Sequence, residues 1–176
     1  ETILPALAAV NPKFENPNAA TAFDMLQLWE GQNAMDSQEA AIFEWFWWNL
    51  LMVTFKDDLP EDYWPAGGDR WFEVMRHLVD SPDSPWWDDK ATTDLIESRD
   101  DILLKSFSET IDQIEKEYGK NISQWPEWGD LHTSTFKNAT LGESGIAPIE
   151  ALFNRGPFRT AGGQSIINAT GWVVGE

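Results

Sequence analysis

The chain has 176 residues, of which 42% are apolar and 13% aromatic, enough for one domain with a sizeable core. Thirty acidic against twelve basic residues give a formal charge of −18 and a pI near 4.2. Such a field repels phosphate backbones and anionic lipid heads, which argues against nucleic acid and membrane surfaces as partners, and the lack of cysteine removes disulfides, thiolate metal sites and cysteine nucleophiles.

Glu1 is not an initiator methionine and no basic region followed by an apolar run opens the chain, so a processed or chosen start is expected. Glu1 to Val10 is apolar, and Pro5 can open a helix there as its first residue but not lie within one, so a short helix or turn is expected. Asn11 to Asn18 is punctuated by proline and asparagine and reads as a loop. Asn18 or Thr21 then caps a helix with Phe23, Leu26 and Trp29 on one face, ended by Gly31.

The next helix organises the rest. Asp36 is placed to cap it with Glu39 reaching back, so the helix should begin at Ser37. From Ala40 to Phe55 the apolar residues go round every face, Trp45, Trp47 and Trp48 among them, which marks a helix buried on all sides. A bilayer span is excluded by Glu44, Asn49 and the stop at Lys56-Asp57-Asp58, short of the ~20 apolar residues a crossing needs.

Lys56 to Asp69 reads as an acidic surface loop, after which Asp69 caps a helix carrying Trp71, Val74, Met75 and Leu78, stopped by Pro82 and Pro85. The best amphipathic pattern follows. Ile102, Leu103, Phe107, Ile111, Ile114 and Tyr118 recur at threes and fours, with Ser98 as cap and Gly119 just past the end. From Ile122 the glycines become frequent and loops with short strands are expected, including extended segments around Ile166 and Val173. The fold class is therefore mainly α within α+β, helical over 1–119 and loop with short strands over 120–176. The strand reaching the terminus without a nearby partner suggests a fragment of a larger protein.

Chemistry is sparse. His77 and His132 lie far apart with no ligand at metal-binding spacing, so zinc is not expected. Asp80, Asp83, Asp88 and Asp89 cluster in a loop but lack the twelve-residue calcium pattern, and a plain solvated loop is the preferred reading. Asp57-Asp58 and Asp100-Asp101 read as solvated loop ends and caps. Tryptophans with carboxylates could make a sugar-binding platform, yet most indoles sit on core patterns and packing is favoured. Gly-x-Ser-x-Gly is absent and Ser144 has no local base. Asn138-Ala-Thr140 and Asn168-Ala-Thr170 match a glycosylation acceptor pattern that is common by chance.

The order of several small motifs points further. Met25-Leu26-Gln27-Leu28-Trp29-Glu30-Gly31 resembles the leucine-x-x-tryptophan-aspartate-glycine segment of penicillin amidases. Trp125-Pro126-Glu127-Trp128-Gly129 with His132 resembles that family's tryptophan-glycine-x-x-histidine stretch. Leu141-Gly142, Phe153 to Phe158, Gly162-Gly163 and Ile166 to Ala169 look like its G-P-F, G-G and T-V-N-A region, with Glu30 and Ile166 departing from the usual aspartate and threonine.

The resemblance implies an αββα N-terminal nucleophile hydrolase of the periplasm or another secreted location. Its precursor cuts itself to expose a serine whose own α-amine is the base. It also implies partners: the remainder of the large subunit, a small subunit, and a small-molecule acylated amine as substrate. No catalytic residue carries over, because the family's nucleophile and oxyanion residues precede the leucine-tryptophan segment; the 176 residues alone are expected to be inactive. Substrate-binding residues are not assignable, no cofactor is implied for this chain, and calcium stays open for the parent. Trp29, Trp125, Trp128 and His132 are read as packing and turn residues, and Gly156, Gly162 and Gly163 as turn formers. The competing readings are a tryptophan-rich carbohydrate module and a stand-alone helical interaction domain.

Overall fold

The computed structural model describes residues 2–163. The described chain is mainly helical with one two-stranded antiparallel sheet. The extended segments expected around Ile166 and Val173 lie outside the described residues.

Helix α3, Gln38–Phe55, is the central element: none of its eighteen residues is exposed. Its cap is Ser37 rather than Asp36, with Ser37 Oγ accepting from the Ala40 N–H at 3.0 Å. Helix α5, Arg99–Tyr118, packs along it. Here the local signals hold as read, since Ser98 and Asp101 form a reciprocal capping box and Gly119 follows the last turn at φ 83°. That backbone region is open to glycine at little cost. Phe107 of α5 is the centre of an aromatic cluster, with Phe14, Phe23 and Phe46 rings at 5.2, 6.2 and 5.3 Å. Fully burying one such side chain contributes on the order of 1.5–3 kcal/mol.

Two shorter helices pack on this pair. In α1, Ile3–Ala9, Pro5 is the third residue rather than the first, still inside the turn whose N–H groups have no helical partner. In α2, Pro17–Leu28, Asn16 is the cap, accepting from the Asn18 N–H at 2.9 Å, and Pro17 is the first residue. Asn18 instead reaches Glu115 and the Lys120 carbonyl, while Thr21 bonds back to the Pro17 carbonyl. The helix stops at Leu28 because Trp29 turns extended, two residues before Gly31.

Helix α4, Asp69–Val79, packs against α1; its cap is Gly68, and Asp69 is its first residue. Met75, Leu78 and Val79 are buried, whereas Val74 faces outward. The last third holds α6, Trp128–Leu131, then β1, Thr133–Phe136, α7, Ala147–Phe153, and β2, Arg155–Arg159. No helix among the described residues is long and apolar enough to cross a membrane.

The loops are tied down by indoles. Trp29, Trp47, Trp64, Trp87, Trp125 and Trp128 donate their ring N–H to the carbonyls of Gln32, Gly67, Leu59, Ser81, Gly119 and Gly162, at 2.6–3.1 Å. Each ring thus packs its apolar body and closes a loop with its single polar atom.

Candidate functional site

The motif residues converge on one place, the loop Trp29 to Ser37 that leads into α3. Trp29 packs its ring on Phe43 of α3 at 5.1 Å. The Met35 carbonyl accepts from the Gly129 N–H at 2.7 Å, and the Ser37 carbonyl from the Trp128 N–H at 2.9 Å. The Asn33 carbonyl accepts from the Gly162 N–H at 2.8 Å. Segments nearly 130 residues apart in sequence are therefore stitched together through backbone groups.

Gly129 must approach closely for this. A Cβ there would stand 2.7 Å from the Met35 carbonyl oxygen and 2.9 Å from the Arg159 guanidinium. Trp128 stacks on the buried His132 ring at 4.9 Å with 8° between planes. The Thr160 carbonyl and hydroxyl lie 3.1 and 2.9 Å from His132 Nδ1. The indole of Trp128 also holds the Gly162 carbonyl, so residues 160–163 form a strap pinned to α6 on one side and to Asn33 on the other.

Beneath the strap lies Glu44 of α3, with its Oε1 accepting from Asn33 Nδ2 at 2.6 Å. Burial is the largest influence on this carboxyl and raises its pKa; the Asn33 bond and the charge of His132 oppose the rise. The arrangement can hold a proton on a carboxyl in a sheltered place and can lock a strap. In the sequence Glu44 counts against a membrane span, and a carboxylate inside a helix apolar on every face is also the signal of a buried polar partner.

The other sequence candidates do not assemble. His77 is on the exposed side of α4 with Glu73 and Arg76, far from His132 in the chain. Asp89 pairs with Lys105 at 2.5 Å, which holds its carboxyl below the usual range. Asp57 and Asp58 are not simply solvated: Asp58 pairs with Lys90, and Asp57 accepts from the Lys90 N–H at 2.7 Å, joining two loops. No group of three or more histidine or acidic side chains placed to hold a metal occurs among the described residues.

A groove of about 490 Å³ runs between α3 and α5, lined in part by Asn49, Met52, Trp64, Lys105 and Gln113. Asn49, almost fully buried, donates to Thr110 Oγ1 at 3.0 Å and Gln113 Oε1 at 3.1 Å. Trp64 is covered by the Lys56 ammonium 4.4 Å above its ring, and Trp47 by Phe72 stacked at 4.4 Å. The faces of these two indoles are thus spent on neighbours, which takes both out of any sugar platform.

The family described as Penicillin amidase matches the chain over residues 1–176. Among curated proteins, the acyl-homoserine lactone acylase QuiP of Pseudomonas fluorescens strain Pf0-1 is 30% identical over 172 residues, covering 94% of this chain and 20% of that protein. QuiP of Pseudomonas aeruginosa is 27% identical over 194 residues, covering 96% and 22%. QuiP of Pseudomonas syringae pv. syringae is 27% identical over 172 residues, covering 94% and 20%. The chain spans about a fifth of the length of the curated relatives it matches.

Proposed function

The chain belongs to the penicillin amidase family, and from that premise we propose that it is one part of a parent acylase cleaving a linear amide. The family match across all 176 residues carries this reading. The acyl group transfers to a serine at the start of the parent's large subunit. The serine's α-amine, with a pKa near ~8, takes the hydroxyl proton that another enzyme would pass to histidine. Backbone N–H and asparagine groups elsewhere in the parent stabilise the tetrahedral oxyanion. The substrate is a small acylated amine, and the amide of an acyl-homoserine lactone is the first candidate because relatives are named for it.

The 176 residues supply framework and no nucleophile, so alone they are inactive. The parent matures by cutting itself, pairs a small with a large subunit and works in the periplasm; calcium binding there is left to test. Intact mass and N-terminal sequencing of the parent from its source, with hydrolysis assays on N-acyl homoserine lactones and other N-acylated amines, test the reading. A large subunit that begins with serine and loses turnover when that serine becomes alanine is the expected result. A natural product consisting of this chain alone, or a parent without amide hydrolysis, overturns it, as does purified turnover by the 176 residues.

A further inference from the structure

The β1–β2 ribbon has two unlike sides. Thr133 opposes Arg159, and Arg159 points to the helical body, its guanidinium on Glu127 at 2.5 Å, Asp130 at 3.2 Å and the Met35 carbonyl at 2.8 Å. One residue along, Ser134 opposes Phe158, and successive side chains point to opposite faces, so Phe158 looks away from that body. Between there and the Phe136–Arg155 pair, β1 advances two residues while β2 spans three, a bulge at Gly156-Pro157 that keeps Phe136 on the face of Ser134. The Phe136 and Phe158 rings meet at 6.1 Å and are 66% and 49% exposed.

The rest of this region is equally bare. Every residue of β2 is exposed, α7 buries none of its residues, and Ile146, Leu152 and Phe153 stand in solvent. Among the described residues no third strand pairs with this ribbon; two strands alone are marginal in water, and an apolar pair with open edges is a template for a further strand. Past β2 the chain leaves on the other side, where Thr160 and Gly162 bond to the carbonyls of His132 and Asn33.

We propose that the Phe136–Phe158 face of the ribbon is a docking surface for an extended segment of the parent polypeptide from outside residues 1–176, laid across the two rings and paired to a free edge. Four-fifths of the length of the curated relatives lies outside the matched region, so such polypeptide is at hand. A second copy of this chain is the poorer occupant, because two bodies of charge −18 repel each other. This inference rests on the reading that a longer parent surrounds the chain, and not on the chemistry proposed for it.

The test uses the intact parent with Phe158→p-benzoylphenylalanine, irradiated, digested and mapped by mass spectrometry. Adducts on residues outside 1–176 of the same parent molecule are expected. Adducts within 1–176, adducts to a second copy, or no adduct overturn the proposal. Hydrogen exchange of the wild-type parent gives a second readout. Peptides over 133–136 and 155–159 should exchange slower than an unstructured peptide by on the order of 100-fold or more, and unprotected rates overturn the proposal. Neither measurement needs turnover, so failure of the acylase reading is seen separately in the hydrolysis assay.

Discussion

Glu44 contributes a pH dependence that can be worked out in sign. Its carboxyl is held above the usual range, first by burial, so the folded state binds more protons than the unfolded state between the ordinary carboxylate pKa, ~4.3, and the raised value. Stability therefore falls as pH rises through that window. Glu44→Gln still accepts the Asn33 bond through its carbonyl oxygen and removes the titration. In urea unfolding followed by fluorescence, the stability of the variant relative to wild type should grow across the window and level off above it. Parallel curves at all pH values would contradict a raised pKa. The junction around Glu44 was only half legible in sequence. Trp29, Trp128, Gly129, His132 and Gly162 stand out as motif residues, but nothing local says that Asn33 and Met35 meet them, because the Met35–Gly129 and Asn33–Gly162 bonds run between backbone groups whose partners the side chains do not report.

At the level of elements, legibility followed the strength of local chemistry. Helix α5 was readable end to end because its cap, its periodic face and its terminal glycine agree. Helix α3 was readable in burial but one residue off at its start, since Asp36 and Ser37 are both good caps and the choice depends on which oxygen reaches the Ala40 N–H. The consequence is measurable by chemical denaturation. Ser37→Ala should cost ~0.5–2 kcal/mol of stability, and Asp36→Ala should stay within about 0.5 kcal/mol. Equal losses would mean that the two residues share the cap. Helix α7 was missed, as was α6, because seven and four residues cannot display a period, and the proline at the start of α7 was the one signal present.

For the whole molecule, charge is the dominant long-range quantity. Thirty acidic side chains against twelve basic ones repel one another through solvent, while exposed ion pairs such as Arg76–Glu73 and Lys137–Glu143 are each worth little. Raising sodium chloride from about 0.05 to about 0.5 M shortens the screening length severalfold and should therefore raise the melting temperature. A fall would show that the ion pairs outweigh the repulsion. The family resemblance was legible at this scale and not below it, because its short motifs are turn and packing signals that gain meaning only in order. The indole hydrogen bonds also constrain how the gene can drift. Each anchored loop is measured against a ring fixed in the core, so an insertion between Trp47 and Gly67, or between Gly119 and Trp125, displaces an acceptor that a substitution would leave in place. Among the described residues no indole hydrogen bond reaches the stretch 137–146, so an insertion there displaces no indole acceptor.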